Sequence, residues 1–467
     1  MRLSIFNTLG REIQQISPRS EGRIGLYTCG LTVYNFAHIG NLRTYLFEDI
    51  LRRIMEYEGC AVEHVMNVTD VGHLTDDADE GEDKMLKSAR EKKITVWEIA
   101  EFYARAFFED LEKLNIEMPT VVCKATEHIE DMIRLIQRLE KRGFTYSSGG
   151  NVYFDIGKFP SYGELGLLDL GKLKAGARTD VDQNKRDPHD FALWFTKSKF
   201  EHQTMLWDSP WGRGYPGWHI ECSAMSMKYL GDQFDIHCGG VDHIQVHHTN
   251  EIAQSEGATG KKSVNYWLHG EYLIMESEKM SKSKGGVLTL ASLSDKGYEP
   301  MDYRYYLLGA HYRTQLKFSY EALSAAKNAR ARLMDHVARL KEAAGPTSAS
   351  RDVLAAGYLS SFEDHAFNDM NMPRCLSELW GLVRDTGVEA NAKIRAIGDM
   401  DQILGLKLLE AETGLPVLDD QVKALIDERE QARKSRDFER ADEIRELLRN
   451  QGIVLEDNPN GVRWKRS

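Results

Sequence analysis

Long apolar runs are missing from this 467-residue chain. None approaches the roughly 18 residues that a bilayer-spanning helix needs. The first residues, with Arg2, Arg11 and Glu12 around a short apolar patch, lack the apolar stretch of a signal peptide, so the sequence predicts a cytoplasmic protein with no membrane segment. Cysteine is scarce and without pairwise rhythm: Cys29, Cys60, Cys123, Cys222, Cys238 and Cys375 are scattered. In a reducing compartment that excludes a disulfide framework and leaves thiols or metal ligands. A surplus of positive charge is absent too, the formal net charge being -12. Composition therefore announces no nucleic-acid partner, although only a local patch needs to touch phosphate. Internal repeats and low-complexity tracts are also lacking, which excludes a solenoid.

What is present is an apolar content of 42%, enough for a substantial core, at a length that suits two to four domains. Ile24 to Tyr27 reads as a buried strand, and Cys29-Gly30-Leu31-Thr32-Val33-Tyr34-Asn35-Phe36-Ala37-His38-Ile39-Gly40-Asn41 follows it. Leu42, Tyr45, Leu46, Ile50, Ile54 and Met55 then recur at three- and four-residue spacing with Arg43, Glu48, Arg52, Arg53 and Glu56 between them, the pattern of a helix with one buried face. Asn41 stands where an N-cap belongs, and amides at a helix start attract phosphate. A second strand is expected over Cys60 to Val68, helices over Val96 to Leu114 and Glu127 to Arg142, and a hairpin over Thr145 to Phe154. Residues 160 to 216, rich in Gly, Asp, Lys and Pro, read as an inserted subdomain or long loops. Alternation returns with a helix from Trp218 to about Leu230, a strand at Phe234 to His237 closed by Gly239-Gly240, a helix opening at His247 and a strand from Asn265 to Met275. Such alternation on both sides of an insertion predicts an α/β fold with one parallel sheet. Beyond Pro300 the pattern is helical, over Tyr320 to Ala344 and Val353 to Leu406; after a linker at Gly414 to Asp420, a last helical stretch and a small hairpin form a separate module.

Two groups of residues carry chemistry. Cys222, His247 and Glu251 hold soft-metal donors, and the four-residue step from His247 to Glu251 puts both on one helix face. His248 is also in reach by the three-residue rule, and Cys29 offers a fourth donor if the strand ends converge on one crevice. Taken singly, a buried Cys is a small hydrophobe and a His-Glu pair at helical spacing is a surface hydrogen bond. The other group suits phosphate. His38-Ile39-Gly40-Asn41 combines an imidazole, a close-approach glycine and a helix start, while Lys279 and Lys282 lie three apart in a Gly- and Ser-rich loop.

His38-Ile39-Gly40-Asn41 resembles the HIGH element, and Lys279-Met280-Ser281-Lys282-Ser283 matches the KMSKS element, of class I aminoacyl-tRNA synthetases. Cys29 to Tyr34, Gly217 to Met225 and His247 to Gln254 together resemble the cysteinyl-tRNA synthetase family within that class, and the similarity runs from Ile5 to Trp464. The resemblance implies a Rossmann-like catalytic domain in two halves, residues 1–124 and 217–300, split by a connective insertion at 125–216. A stem-contact and helical domain at 301–410 and a mixed anticodon-binding module at 411–467 would follow. It implies one zinc ion on Cys29, Cys222, His247 and Glu251, which chooses His247 over His248. The implied activity is that of a monomeric ligase: L-cysteine is activated by ATP with Mg2+ to cysteinyl adenylate and passed to the 3′ end of tRNA-Cys. In that scheme His38, Asn41, Lys279 and Lys282 are catalytic, and Gly40, Gly239, Gly240 and Asp242 join them around ATP. Gly30, Thr32, Thr69 and Trp218 wall the amino acid, and Arg433, Phe438, Asp442 and Asp457 meet the anticodon.

The chain departs from the family pattern in three places. Asn41 replaces the final His of HIGH, which keeps hydrogen bonding but loses a ring and a potential cation. Lys284-Gly285-Gly286 follows KMSKS where Leu-Gly-Asn is frequent, and Phe438 takes the position of a Trp while retaining a ring that can stack on a base. Other functions would share these residues: a paralogue that ligates cysteine to a small non-tRNA amine, a non-catalytic tRNA-binding protein, or an added persulfide-forming activity with pyridoxal phosphate on Lys84 or Lys282.

Overall fold

The computed structural model describes residues 1–71, 88, 94–168, 182–197, 205–275, 288–344, 352–410, 420–450, 453–458 and 461–466. A hairpin of β1 (Ser4–Asn7) and β2 (Glu12–Gln15) leads into β3 (Arg23–Thr28), α1 (Ile39–Tyr57), β4 (Ala61–Val68), α2 (Val96–Lys113) and β5 (Val121–Lys124). Next come α3 (Ile129–Lys141), β6 (Thr145–Ser148), β7 (Asn151–Phe154), β8 (Phe191–Phe195) and β9 (Tyr215–Pro216). They are followed by α4 (Trp218–Leu230), β10 (Phe234–Gly240), α5 (His247–Thr259), β11 (Val264–Gly270) and β12 (Leu273–Met275). The chain continues through α6 (Leu290–Ser294), α7 (Pro300–Leu308), β13 (Leu316–Phe318), α8 (Tyr320–Ala343), α9 (Val353–Phe367), α10 (Met372–Arg384) and α11 (Ala390–Leu404). It ends in α12 (Asp420–Lys434), α13 (Phe438–Asn450) and the hairpin of β14 (Ile453–Asn458) and β15 (Gly461–Arg466), which share a small core of Val422, Ile426, Ile444, Leu448, Ile453 and Leu455.

Five strands make one parallel sheet in the order β11-β10-β3-β4-β5. The chain winds outward from β3 through β4 to β5, then resumes at β10 on the other side of β3. The direction of winding therefore reverses between β3 and β10, and ligands of open parallel sheets bind at such a switch point, beyond the carboxyl ends of the strands. Side chains alternate across β3 as a strand requires: Leu26 packs with Leu42, Leu46, Ile50 and Ile54 of α1, whereas Tyr27 packs with Ile220 and Met225 of α4. Among the described residues no helix is long and apolar enough to cross a membrane.

Several local expectations change. Asn265 to Met275 is two strands, because after Gly270 the chain leaves the parallel sheet and β12 pairs with β13 instead. β10 runs on through Gly239-Gly240, which lie opposite His269 and Gly270 of β11. The segment after residue 160, read as an insertion or loops, supplies β8 and β9, which extend the hairpin β6-β7 into a four-stranded antiparallel sheet. Every residue of β8 is buried, so no alternation marked it in the sequence. Val353 to Leu406 is three helices, interrupted at Asp369 and Met370, whose φ values of 57° and 52° no helix tolerates.

α1 is also buried more widely than its one-faced pattern implied. Arg43, Glu48 and Asp49 are all buried, because α7 and α11 cover the side of the helix that the sheet leaves free. Glu48 is 1% exposed, and neither of its carboxyl oxygens has a partner among the described residues. Burial pushes its pKa well above the ordinary 4.5. The folded chain thus holds a proton that the unfolded chain releases, and the contribution of this group is complete below about pH 4.5 and lost as pH rises toward the folded value. Glu48→Met is expected to raise stability at neutral pH by about 1–3 kcal/mol. It should also flatten the decline of the urea midpoint between about pH 5 and 8; a variant with the wild-type slope would rule out Glu48 as its source.

Candidate active site at the sheet switch point

Where β3 ends, the Cys29 N–H donates to Cys238 O of β10 at 3.4 Å. Gly30 follows at a backbone crossing: a Cβ there would stand 1.7 Å from Asn67 O, so no larger residue lets the two chains pass. Asn67 Oδ1 accepts from Gly30 N at 3.0 Å. Pairing then continues past the strand ends, with Val33 N donating to Thr69 O and Thr69 N to Leu31 O, so Thr32 and Thr69 stand side by side.

The start of α1 differs from its expected form. His38, not Asn41, is the N-cap, with extended backbone at φ -84° and ψ 161°. Its Nδ1 accepts from Asn41 N at 3.0 Å, while Asn41 Oδ1 accepts from His38 N at 3.1 Å. Asn41 is the third helical residue of a reciprocal capping box, a place from which its short side chain reaches back exactly one turn's worth of backbone. Burial lowers the His38 pKa, and a neutral ring that accepts at Nδ1 carries its proton on Nε2. Gly40 gives the ring its space, since a Cβ there would come within 3.0 Å of His38 Nδ1 and Cε1. Ile39 N donates to Leu288 O at 2.9 Å, and His38 bridges to Thr289. The chain that follows Lys279 and Lys282 is therefore anchored at the helix start; the two lysines themselves, like Lys84, lie outside the described residues.

At the wall of the crevice, Cys29, Cys222 of α4, and His247 and Glu251 of α5 bring one donor atom each to within 4.8 Å of one another, all buried. The sulfurs are 3.9 Å apart, and His247 Nε2 is 3.0 Å from Glu251 Oε1. On a tetrahedral zinc two thiolates stand about 3.8 Å apart, and nitrogen and oxygen donors about 3.3 Å. The set has that span, and its two sulfurs, imidazole and carboxylate suit zinc. A second group, Cys29, His237, His248 and Glu251, shares two of these residues. In it His248 Nε2 lies 3.4 Å from Cys29 Sγ, and its Nδ1 is 2.8 Å from His269 Nε2, whose Nδ1 meets Thr8 Oγ1 at 2.7 Å. His237 Nε2 is 3.0 Å from Glu251 Oε2, and His219 Nδ1 is 2.9 Å from His247 Nδ1.

Charge in this cluster follows from burial set against neighbours. Burial opposes the Glu251 carboxylate, but His237 and His247 draw its pKa down to about 2. Burial likewise opposes the His247 imidazolium, yet Glu251 and Cys222 lift it to about 10. The hydrogen bond with Cys29 lowers the Cys222 pKa, while burial and Cys222 raise that of Cys29 well above its usual value. Burial and the surrounding histidines hold His248 neutral.

Twelve residues singled out in the sequence line one crevice of about 460 Å³: Cys29, Gly30, Thr32, His38, Gly40, Asn41, Thr69, Trp218, Cys222, Gly240, Asp242 and His247. Gly239 lies behind its wall, where a Cβ would stand 2.6 Å from His243 and 2.8 Å from His248, and Glu251 is buried at 2% exposure. Trp218 is a wall residue, its ring 4.6 Å from that of His247. Sequence reasoning missed His219, His237, His243, His269 and Thr8. The signal was their density, since six of the fifteen histidines fall between residues 219 and 269.

Residues 15–328 match the family model of the tRNA synthetases class I (C) catalytic domain, and residues 415–464 match that of the cysteinyl-tRNA ligase anticodon binding domain. The chain belongs to the cysteinyl-tRNA ligase family. It is 52% identical over 491 residues to a cysteine–tRNA ligase of Treponema denticola and 44% identical over 523 residues to one of Treponema pallidum, with all of each chain covered. Among solved structures, methionyl-tRNA synthetase of Mycobacterium tuberculosis bound by methionyl-adenylate matches with a TM-score of 0.56 at 15% identity, over 83% of this chain and 91% of that one. At that identity the likeness concerns the fold, which is of class I as expected. Membership makes the chain an ATP-dependent aminoacyl-tRNA ligase. It also places Arg433, Phe438, Asp442 and Asp457 within the anticodon-binding match. Arg433 in the last turn of α12 and Phe438 and Asp442 on α13 are exposed there, and Asp457 lies on β14.

Proposed function

We propose that the chain activates L-cysteine with ATP and transfers it to the 3′ end of tRNA-Cys, with zinc held by Cys29, Cys222, His247 and Glu251. The observation that carries this reading is the meeting, in one crevice, of that donor set with the capped start of α1. His247 and Cys222 face the crevice, which favours this set over the one containing His237 and His248. Zinc held there would supply a Lewis acid for the substrate sulfur as thiolate, an interaction that a serine hydroxyl would make poorly and alanine not at all. Selection of that kind exceeds what a methylene-sized difference in a pocket provides, so the insertion at 125–216 need not edit.

Gly30, Thr32, Thr69 and Trp218 wall the amino acid and turn its carboxylate toward α1. There His38 donates its Nε2–H and Asn41 its Nδ2–H to phosphate oxygens. A carboxylate oxygen attacks the α-phosphorus, the bond to the bridging oxygen breaks, and pyrophosphate leaves; Mg2+ bound with ATP would share its charge. Lys279 and Lys282 are the cations that offset the negative charge gathered on phosphorus. Gly240 admits the adenosine, Gly239 behind it leaves room for His243 and His248, and Asp242 accepts from the ribose. The terminal adenosine of the tRNA then attacks the activated carbonyl through a hydroxyl oxygen; AMP leaves, and the hydroxyl proton passes to a phosphate oxygen. Positioning and charge stabilisation do the work, with no protein nucleophile. The catalytic halves are 1–124 and 217–300, with 301–410 along the acceptor stem and 411–467 reading the anticodon through Arg433, Phe438, Asp442 and Asp457.

The test is cysteine-dependent ATP–pyrophosphate exchange followed by charging of transcribed tRNA-Cys. Both activities are expected. Exchange without charging would point to a small-amine acceptor, and the absence of both would leave a binding protein.

A further inference from the structure

Half-exposed aromatic side chains are few among the described residues: Phe36, Trp97, Phe102, Tyr272 and Phe438. Tyr272 lines the crevice and Phe438 lies in the anticodon-binding match, so both have a place in the function above. Of the other three, which no step so far uses, Phe36 and Phe102 meet where α2 borders the mouth of the crevice. Phe36 lines the crevice and is 40% exposed; its ring stands edge-on to those of Tyr103 at 5.0 Å and Phe102 at 5.8 Å. Phe102 is 42% exposed. Trp97, earlier on α2 and 51% exposed, meets Trp207 at 6.5 Å. Beneath them Val96, Ile99, Ala100 and Tyr103 pack with Val33 and Met205 in a closed apolar cluster. The helix is thus held by its inner face, and the rings of Phe36 and Phe102 stay half in water as one apolar patch at the crevice, the kind of surface that marks an interaction site, while Trp97 lies about 140° round the helix from Phe102.

We infer that this rim is a stacking surface for the unpaired bases of the tRNA acceptor strand as its 3′ end enters the crevice. The inference rests on the proposed function, in which the terminal adenosine must reach the adenylate carbonyl. Unpaired bases present flat apolar faces whatever their sequence, and aromatic rings hold them in that way. Phe36 makes the patch continuous with the wall of the crevice, which favours the substrate strand over an unrelated partner.

The experiment uses the full-length protein and a tRNA-Cys transcript with 2-aminopurine at the unpaired nucleotide before the terminal CCA. Stacking quenches its fluorescence on binding. Phe102→Ala is expected to lose most of the quench and to slow single-turnover transfer from preformed adenylate by about five- to a hundredfold, whereas Trp97→Ala, on another face of the helix, should keep both. They should leave pyrophosphate exchange and the salt dependence of tRNA affinity unchanged. Phe102→Tyr should restore quench and transfer, and Phe102→Leu neither. A wild-type quench in Phe102→Ala overturns the inference even if transfer slows, and so does a shallower salt dependence, which would mean phosphate contacts. If the wild-type protein neither exchanges nor charges, it is the proposed activity that fails; the quench needs no turnover and still decides the surface.

Discussion

Cys222→Ser is expected to abolish stoichiometric zinc binding and to lower cysteine-dependent pyrophosphate exchange by at least about a hundredfold, since even partners one step removed from a metal cost 10–100-fold. The side chain is 1% exposed, its sulfur is 3.9 Å from that of Cys29, and its pKa is the lowered one of the pair. Cys222 is therefore the sulfur of the pair that gives up its proton more readily, and a serine hydroxyl neither ionises near neutral pH nor binds zinc as well. Metal content by mass spectrometry and the exchange rate give the two readouts, with circular dichroism as the control for folding. A decisive contrast comes from the second donor group, which lacks Cys222 but contains His248. Retention of zinc in Cys222→Ser together with its loss in His248→Ala would move the metal to Cys29, His237, His248 and Glu251 and sink the proposed set.

Asp49→Ala should lower the stability of the fold by about 3–5 kcal/mol, because it strands a buried cation. Arg304 of α7 has no exposed side-chain surface, and its Nη2 donates to Asp49 Oδ2 of α1 at 2.7 Å. The same guanidinium donates to Leu404 O at the end of α11 and to Leu114 O and Asn115 O beyond α2. Asp49 in turn accepts from Arg53 Nε at 2.8 Å and from Glu117 N at 2.8 Å. Burial opposes its charge, but Arg304 and Arg53 more than offset this and hold its pKa below the usual carboxylate range. The network thus ties the helix that begins at His38 to the helical part of the chain. Urea unfolding of Asp49→Ala measures the loss. The double variant Asp49→Asn, Arg304→Met should be markedly less destabilised, since removing both charges leaves no cation without a partner. Equal losses in the two would show that packing, not the ion pair, is what Asp49 provides.

α1 shows how far the sequence could be read and where it stopped. Its existence and register followed from apolar spacing, because a helix repeats every 3.6 residues and periodicity is a local property. Its burial did not, since whether Arg43, Glu48 and Asp49 face water depends on α7 and α11, some 250 to 360 residues away in the chain. The same division holds for the donor cluster. Helical spacing put His247 and Glu251 on one face of α5, but it could not bring Cys29 or Cys222 to them, nor find His237 and His269 behind them, because those approaches cross between strands and helices.

The sequence by itself determined the class of fold, the family and the residue types of the site, for periodicity, motif order and side-chain chemistry are all written along one dimension. Tertiary structure alone decided that β3 and β10 are neighbours, that Cys29 and Cys222 stand 3.9 Å apart, and that Asn41 closes a box begun by His38 instead of capping the helix itself. Those facts depend on the winding of the sheet and on the direction in which each side chain leaves its backbone, which adjacency in sequence does not encode.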